Sequence, residues 1–334
     1  MNLQPTTEDE VAEAIADARA TRQPVEVRGA GSVLDRLPAH EAPVLSTAAL
    51  TGVVALAAED LTVTVRAGTP LDELAAVLAE HGQECPIEPA AGAGSTVGGR
   101  VATALAGPRQ LGAGRVRDWV LRVRFVPGTS KPTMAGGVTV KDVTGYDLCR
   151  LLTGSWGTIG VLTEVTLKVR PIAAERAWFA TSTPEVNLDA RLYRPAGLFT
   201  TPERTHVLLE GHPDDVADQA AVAGLAPASE PSLPRAARAS VDPARLHDLA
   251  AGLDASRTPF AAQDGVGVCY LDGDAEALAS VRRHAEELGG TLLVLEPSLG
   301  LAAFGHMAAP DRLGQRVRDA LDPDGILAPG RWQQ

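Results

Sequence analysis

Cysteine is scarce: the 334 residues include three, Cys85, Cys149 and Cys269. Their scatter offers neither a disulfide framework nor the closely spaced thiolates of an iron–sulfur cluster or a structural zinc. They read as buried bystander thiols, and any metal cluster that takes electrons from this chain belongs to a partner. Aromatic residues make up 4%, while Ala, Gly and Pro are abundant, a bias that says little about chemistry. Base is short as well. The 30 Lys and Arg face 42 Asp and Glu, a net charge of −12, which disfavours general binding to nucleic-acid phosphates or an anionic membrane. Any bound anion must therefore be held locally. No run of about 18 or more apolar residues spans a bilayer. The amino terminus is acidic and polar where a signal peptide is basic and then apolar, so a cytoplasmic location is expected.

What is present is an ordinary globular composition, 45% hydrophobic, long enough for two domains. An opening helix is expected from Thr7 to about Ala20, with a capping box formed by Thr7 and Glu10 and an apolar face of Val11, Ile15 and Ala18. Pro24 to Arg28 reads as a short strand, and Leu61 to Arg66 as a second. Thr69-Pro70-Leu71-Asp72 then starts a capped helix that ends at Gly82. Trp119, Leu121, Val123 and Phe125 alternate as one strand face, and Val161 to Val169 repeat the pattern before Pro171. Beyond Pro171 the texture changes, with an exposed proline-rich loop from about Pro227 to Pro234. A weak internal similarity follows: His206 to Glu210 leads through Gly211 to a helix start at Asp214-Asp215, and Val266 to Leu271 leads through Asp272-Gly273-Asp274 to another helical run. Two such units suggest a small α+β sheet domain covered by helices on one face. Asp311 begins a final helix, followed by Asp322 to Arg331.

Three segments carry the candidate chemistry. Val25 to Ser32 delivers the turn Arg28-Gly29-Ala30-Gly31-Ser32, whose backbone N–H groups can converge on one anion such as a pyrophosphate; an ordinary tight turn would look similar. Gly92-Ala93-Gly94-Ser95-Thr96-Val97-Gly98-Gly99-Arg100 lacks bulky side chains, so a flat ring or a diphosphate can lie against the main chain. A flexible loop is the alternative, although a linker usually lacks the apolar helical continuation Val101 to Leu105. Lys141 to Glu164 runs from a helix through a turn with Gly154, Gly157 and Gly160 into a strand, or it is a plain helix-to-strand connection capped by Gly154.

In this order and spacing the three segments resemble the FAD-binding domain of the vanillyl alcohol oxidase or p-cresol methylhydroxylase (PCMH) family, over most of residues 20–171. The resemblance implies an α+β fold, with a PCMH-type FAD-binding domain of two subdomains (residues 1–171), a small α+β cap (172–310) and a helix and tail returning to the first domain (311–334). It also implies FAD contacts from Arg28, Gly29, Ala30, Gly31 and Ser32 at the pyrophosphate, and from Gly94, Ser95, Thr96, Gly98 and Gly99 at the pyrophosphate and isoalloxazine. Gly157, Gly160 and Val161 fall by the ribose and adenine, and Pro89 is also placed against the cofactor. Ser32 stands where covalent members often place histidine, which implies non-covalent FAD.

Ala106-Gly107-Pro108-Arg109, Val116-Arg117-Asp118, the run from Lys141 to Asp147 and the closing Pro329-Gly330-Arg331 are similar to the E-subunit family of bacterial glycolate oxidases. That narrower resemblance implies a hetero-oligomer in which a second FAD-containing subunit oxidises a small 2-hydroxy acid beside an iron–sulfur subunit. Two other functions stay open: a self-sufficient FAD-dependent alcohol or hydroxy-acid dehydrogenase, with Arg109 or Arg115 on the substrate carboxylate, and a flavin-free scaffold. No catalytic acid or base stands out, and His306, alone in Phe304-Gly305-His306-Met307, reads as a surface or packed residue, with no metal site expected.

Overall fold

The computed structural model describes residues 3–38, 41–88, 94–138, 146–185, 188–305 and 312–333. Pro89, Gly92, residues 141–145 of the third segment and His306 lie outside the described residues.

Helix α1 (Glu8–Thr21) buries Val11, Ile15 and Ala18 along one face. Its start differs in detail from a reciprocal capping box. Thr7 accepts from the Glu10 amide at 3.2 Å, but the Glu10 carboxylate accepts from the Thr6 amide at 2.7 Å. A parallel ladder of β1 (Glu26–Arg28) and β2 (Val44–Ser46) follows, then β3 (Val53–Ala57) and β4 (Thr62–Arg66). Helix α2 (Leu71–Ala79) begins at Pro70 with no side-chain cap. Thr69, expected as the cap, instead accepts from the Gly52 amide at 3.0 Å, because it is buried beneath that turn.

The chain continues through β5 (Gln83–Glu84), α3 (Val97–Thr103), α4 (Gln110–Ala113), β6 (Val120–Val126), β7 (Thr133–Gly136), α5 (Leu148–Leu152), β8 (Val161–Lys168) and β9 (Arg170–Pro171). Among the described residues, β3, β4, β8, β6 and β7 form one sheet in that order, and β5 pairs with β9. The alternation expected for β6 is broken by register shifts against β8, which leave Val120, Val123, Phe125 and Val126 buried and Leu121 half-buried. Val63, Val65, Leu74, Leu78, Val97, Val101, Phe125 and Val165 share one core.

The remaining elements are β10 (Glu175–Ala180), β11 (Gly197–Thr200), β12 (Thr205–Gly211), α6 (Pro213–Val222), β13 (Ala226–Pro227), β14 (Ala237–Ser240), α7 (Leu246–Ala251), β15 (Phe260–Gln263), β16 (Val268–Leu271), α8 (Ala275–Glu287), β17 (Thr291–Val294) and α9 (Arg312–Leu321). Strands β10 to β17 make one sheet in the order β13-β10-β12-β11-β15-β16-β14-β17. Reading outward from the antiparallel β11–β15 pair, each half repeats the same sequence of connections. The internal similarity seen in two short segments is therefore the visible part of a duplicated ββ-α-containing unit. Asp274 caps α8 by accepting from the Ala277 amide at 2.8 Å.

The carboxyl end returns to the amino-terminal ladder. The Val25 amide donates to the Ile326 carbonyl, and the Ala328 amide donates to the Val25 carbonyl, both at 2.8 Å. The fold is α+β, and strands β10 to β17 form a sheet separate from those of the earlier strands.

Candidate functional site

Residues distant in sequence line one cleft, open to solvent: Arg28 to Leu34 at the end of β1 and in the loop after it, Ser95, Thr96, Gly98, Gly99 and Arg100 at the start of α3, and Trp156, Gly157 and Gly160 before β8. Each wall is held by backbone geometry that excludes larger side chains. A Cβ on Gly29 would lie 2.5 Å from Thr96 Oγ1, and one on Gly157 would lie 2.9 Å from Val27 Cβ at a φ of +75°. A Cβ on Gly98 would meet Ala67 at 2.7 Å.

The loop after β1 is braced by an ion pair between Arg28 and Asp35 and by the Asp35 amide donating to the Gly31 carbonyl at 2.9 Å. Ser32 Oγ lies 3.0 Å from Ser95 Oγ, which joins this loop to the second segment. The amides of Gly29, Ala30, Gly31 and Ser32 donate to no acceptor among the described residues. They fit an anionic diphosphate, which needs several convergent donors. The start of α3 is different. Its Val97 and Gly98 amides donate to the Thr69 and Ala67 carbonyls at 2.9 and 2.7 Å, and the Gly99 amide donates to Thr96 Oγ1 at 3.2 Å. From Val97 on, that segment serves as a close-fitting wall.

The third segment is tied to α3, with the Gly154 amide on the Val101 carbonyl and the Trp156 amide on the Ala102 carbonyl, at 3.0 and 2.9 Å. Trp156 packs edge-on against Phe304 and Trp332, with centroids at 5.1 and 6.1 Å. Arg331, 1% exposed, lies 3.6 Å from Glu26 beneath β1, so the tail supports the cleft from behind.

The structure brings together Arg28, Gly29, Ala30, Gly31, Ser32, Ser95, Thr96, Gly98, Gly99, Gly157 and Gly160. Gly94 is exposed just outside, at a φ of +89°. Val161 does not line the cleft; it is buried with Val11, Ile15, Leu45 and Val126. Thr47, Ala102, Thr103 and Trp156 are lining residues that the sequence did not single out. Arg100 is the most unusual of those missed. It is 2% exposed, its guanidinium donates to the Leu105 carbonyl and to Ser95 Oγ, and its Nε finds no partner. A lone charge between Val97 and Val101 on a short apolar helix was the available signal.

Residues 2–136 match the family model described as an FAD binding domain. The chain carries an FAD-binding domain. The relatives of this FAD-binding domain include the glycolate oxidase subunit GlcE of Escherichia coli, 47% identical over 121 residues, which covers 36% of this chain and 35% of that one. A D-lactate dehydrogenase of Archaeoglobus fulgidus is 34% identical over 171 residues, covering 51% of this chain and 38% of its own. The match thus spans a little over a third of the length of each of these relatives. An alkyldihydroxyacetonephosphate synthase structure shares the fold, with a TM-score of 0.70 at 15% identity, covering 98% of this chain and 75% of that one. The cofactor of the FAD-binding domain is FAD, and the cleft lined by its first two glycine segments has the open amides and bare walls that this cofactor requires.

Arg109, a candidate for a substrate carboxylate, is committed elsewhere. It lies 2.7 Å from Glu84, 2.8 Å from Glu88 and 3.3 Å from Glu210. Arg170 and Arg176 complete the cluster on Glu84 and Glu210. Burial opposes ionisation of Glu84 and Glu210, but the guanidiniums prevail and hold both below the ordinary carboxylate range. Arg115 is exposed and lines none of the cleft. Burial pushes the Cys85 thiol up to about 12 and Cys269 further still, so both are protonated and unreactive. Among the described residues no group of His, Cys, Asp and Glu is placed to hold a metal, and no helix is long and apolar enough to cross a membrane.

Proposed function

We propose that this chain is the FAD-carrying subunit of a glycolate or related 2-hydroxy-acid oxidase or dehydrogenase complex, working in the cytoplasm beside a separate catalytic flavoprotein subunit and an iron–sulfur subunit. Residues 1–171 are the FAD domain, 172–310 the cap and 311–334 the returning tail. The observation that carries this reading is the cleft itself. Three separated glycine segments converge on it, and its described lining has neither a carboxylate nor an imidazole to accept a proton from an alcohol. The 47% identity to part of a glycolate oxidase subunit supports the complex.

FAD is held non-covalently. The described lining includes no His, Cys or Tyr to form a bond to the flavin, and Ser32 occupies the loop position nearest Ser95. Arg28 to Ser32 would hold the diphosphate, Ser95 to Gly99 the ring system, and Gly157 with Gly160 the ribose and adenine. When bound, FAD supplies a two-electron acceptor. The chain's own residues hold it, shape its surroundings and exclude water along the glycine walls.

The test is an absorbance spectrum of the purified chain, repeated on the supernatant after acid precipitation. Released flavin is the expected result, and a chain that stays colourless after incubation with FAD overturns the reading. Anaerobic addition of glycolate or lactate to the isolated chain then separates a carrier from a self-sufficient dehydrogenase. The carrier's flavin does not bleach at a catalytic rate.

A further inference from the structure

A second, smaller cavity adjoins the cleft where the amino-terminal domain meets the cap sheet. It shares Ser32, Val33, Ser95 and Arg100 with the cleft, and its far wall is built by Arg238, Tyr270 and Leu295 of the cap. Arg238 on β14 and Tyr270 on β16 are direct cross-strand partners, so both side chains leave the same face of the sheet. Arg36 and Arg235 stand on the same cavity. Four arginines thus line one cavity in a chain of net charge −12.

None of the described residues lining this cavity is acidic. The nearby carboxylates have other work. Asp272 accepts the Arg235 and Ala236 amides at 2.8 Å each, Glu296 accepts from Ser298, and Glu88 is held by Arg109 at 2.8 Å. Among the residues around the cavity, Nε of Arg100, Nε of Arg238 and the Tyr270 hydroxyl are buried without a hydrogen-bond partner, while Arg238 Nη1 donates to Ser240 Oγ at 3.1 Å. Arg100 is 2% exposed and Tyr270 5% exposed. Unpaired buried donors and facing like charges are both costly, and one bound anion relieves both. Burial pulls the Arg100 guanidinium down to about 10; Tyr270 and Glu88 act against that pull and Arg238 adds to it.

We propose that Arg100, Arg238 and Tyr270 form a binding site for the carboxylate of a small organic acid, placed against the cofactor cleft. Guanidinium N–H edges and a phenolic hydroxyl suit a planar carboxylate, which accepts two N–H bonds from one arginine and an O–H bond from the tyrosine. The apolar remainder of the wall, Val33, Leu105, Pro234, Ala237 and Leu295, suits a short carbon chain and disfavours a larger polar ligand. The proposal deepens the flavin reading, on which the use of the bound acid rests, and it gives this chain a contact of its own with the acid. Arg238 and Tyr270 are residues that position the bound acid, supplied by the cap.

The experiment is calorimetric titration of the full chain with oxalate, a small carboxylate that resists dehydrogenation, with and without FAD, and with inorganic phosphate as competitor. One saturable oxalate site is expected, weakened at least tenfold in Arg238→Met and several-fold in Tyr270→Phe, with Arg238→Lys between Arg238→Met and the parent. Both residues lie on cap strands, so far-ultraviolet circular dichroism and melting temperature confirm that the variants are folded. In the FAD-loaded chain oxalate also perturbs the visible flavin band. Absence of saturable binding, equal affinity in the folded Arg238→Met variant, tighter binding of phosphate, or competition between oxalate and FAD each overturns the proposal. Oxalate binding by a chain that takes up no FAD supports the site while the flavin reading fails; FAD uptake without oxalate binding sinks the site alone.

Discussion

Gly29 and Thr96 approach each other from opposite walls of the cleft, and the same threonine hydroxyl caps α3. A methyl group on Gly29 must turn Thr96 away, so Gly29→Ala loses both the close fit and a cap worth about 1 kcal/mol. Gly157→Ala adds a clash with Val27 to the strain of a left-handed backbone, about 1 to 2 kcal/mol for a non-glycine residue. Each substitution is expected to weaken FAD uptake at least tenfold, read by quenching of flavin fluorescence on titration of the stripped chain, with far-ultraviolet circular dichroism retained. These glycines were legible in the sequence because a missing side chain is visible there. Arg100 was not, because a buried guanidinium among valines declares itself only when its surroundings are known.

Helix α3 has seven residues and carries one wall of the cleft, so its stability depends on its ends. Thr96 supplies the amino-terminal cap, and Ala104 closes the helix in a left-handed conformation at a φ of +54°. Thr96→Ala is expected to lower unfolding stability by about 1 kcal/mol in urea titrations and to reduce FAD affinity further, since Thr96 also lines the cleft. The expected cap at Thr69 illustrates the limit of local reading. A threonine before proline satisfies the sequence rule for a helix start, but its hydroxyl is nearer to Gly52, and the tertiary contact takes it. In the cap, the strand-turn-helix units were readable because acidic helix starts follow short apolar strands. Their union in one continuous sheet through β11 and β15 was not, since that pairing joins Phe199 to Gln263 across 64 positions.

Over the whole molecule, the cluster of Arg109, Arg170 and Arg176 with Glu84, Glu88 and Glu210 ties β5, β9 and the segment before α4 to β10 and β12. Glu210 is nearly buried, and its removal leaves three arginines under-compensated. Glu210→Gln is expected to cost about 2 kcal/mol, measured by urea unfolding at neutral pH. Both Glu84 and Glu210 have lowered values in the folded protein. The unfolded chain therefore binds more protons between the two sets of values. The stabilisation is complete above the ordinary glutamate value of about 4.3 and is lost as pH falls through the folded values. Thermal melts at successively lower pH should show this acid loss, with a shallower decline in Glu210→Gln; an unchanged decline would remove the cluster from the account of acid stability.

The sequence by itself determined the local pieces: the glycine segments, the face of α1, the apolar strands β4 and β8, and the shortage of cysteine and of free base. These depend on residues within a few positions of each other, where backbone sterics and burial periodicity act directly. Tertiary structure decided the rest. It brought the amides after β1 against the bare start of α3, committed Arg109 to an ionic cluster instead of a ligand, turned Val161 into the core, and set Arg238 opposite Tyr270 beside Arg100. The physical reason is that a charged or polar side chain takes its role from its partners, and here those partners lie as much as 305 positions away, as Arg331 does from Glu26.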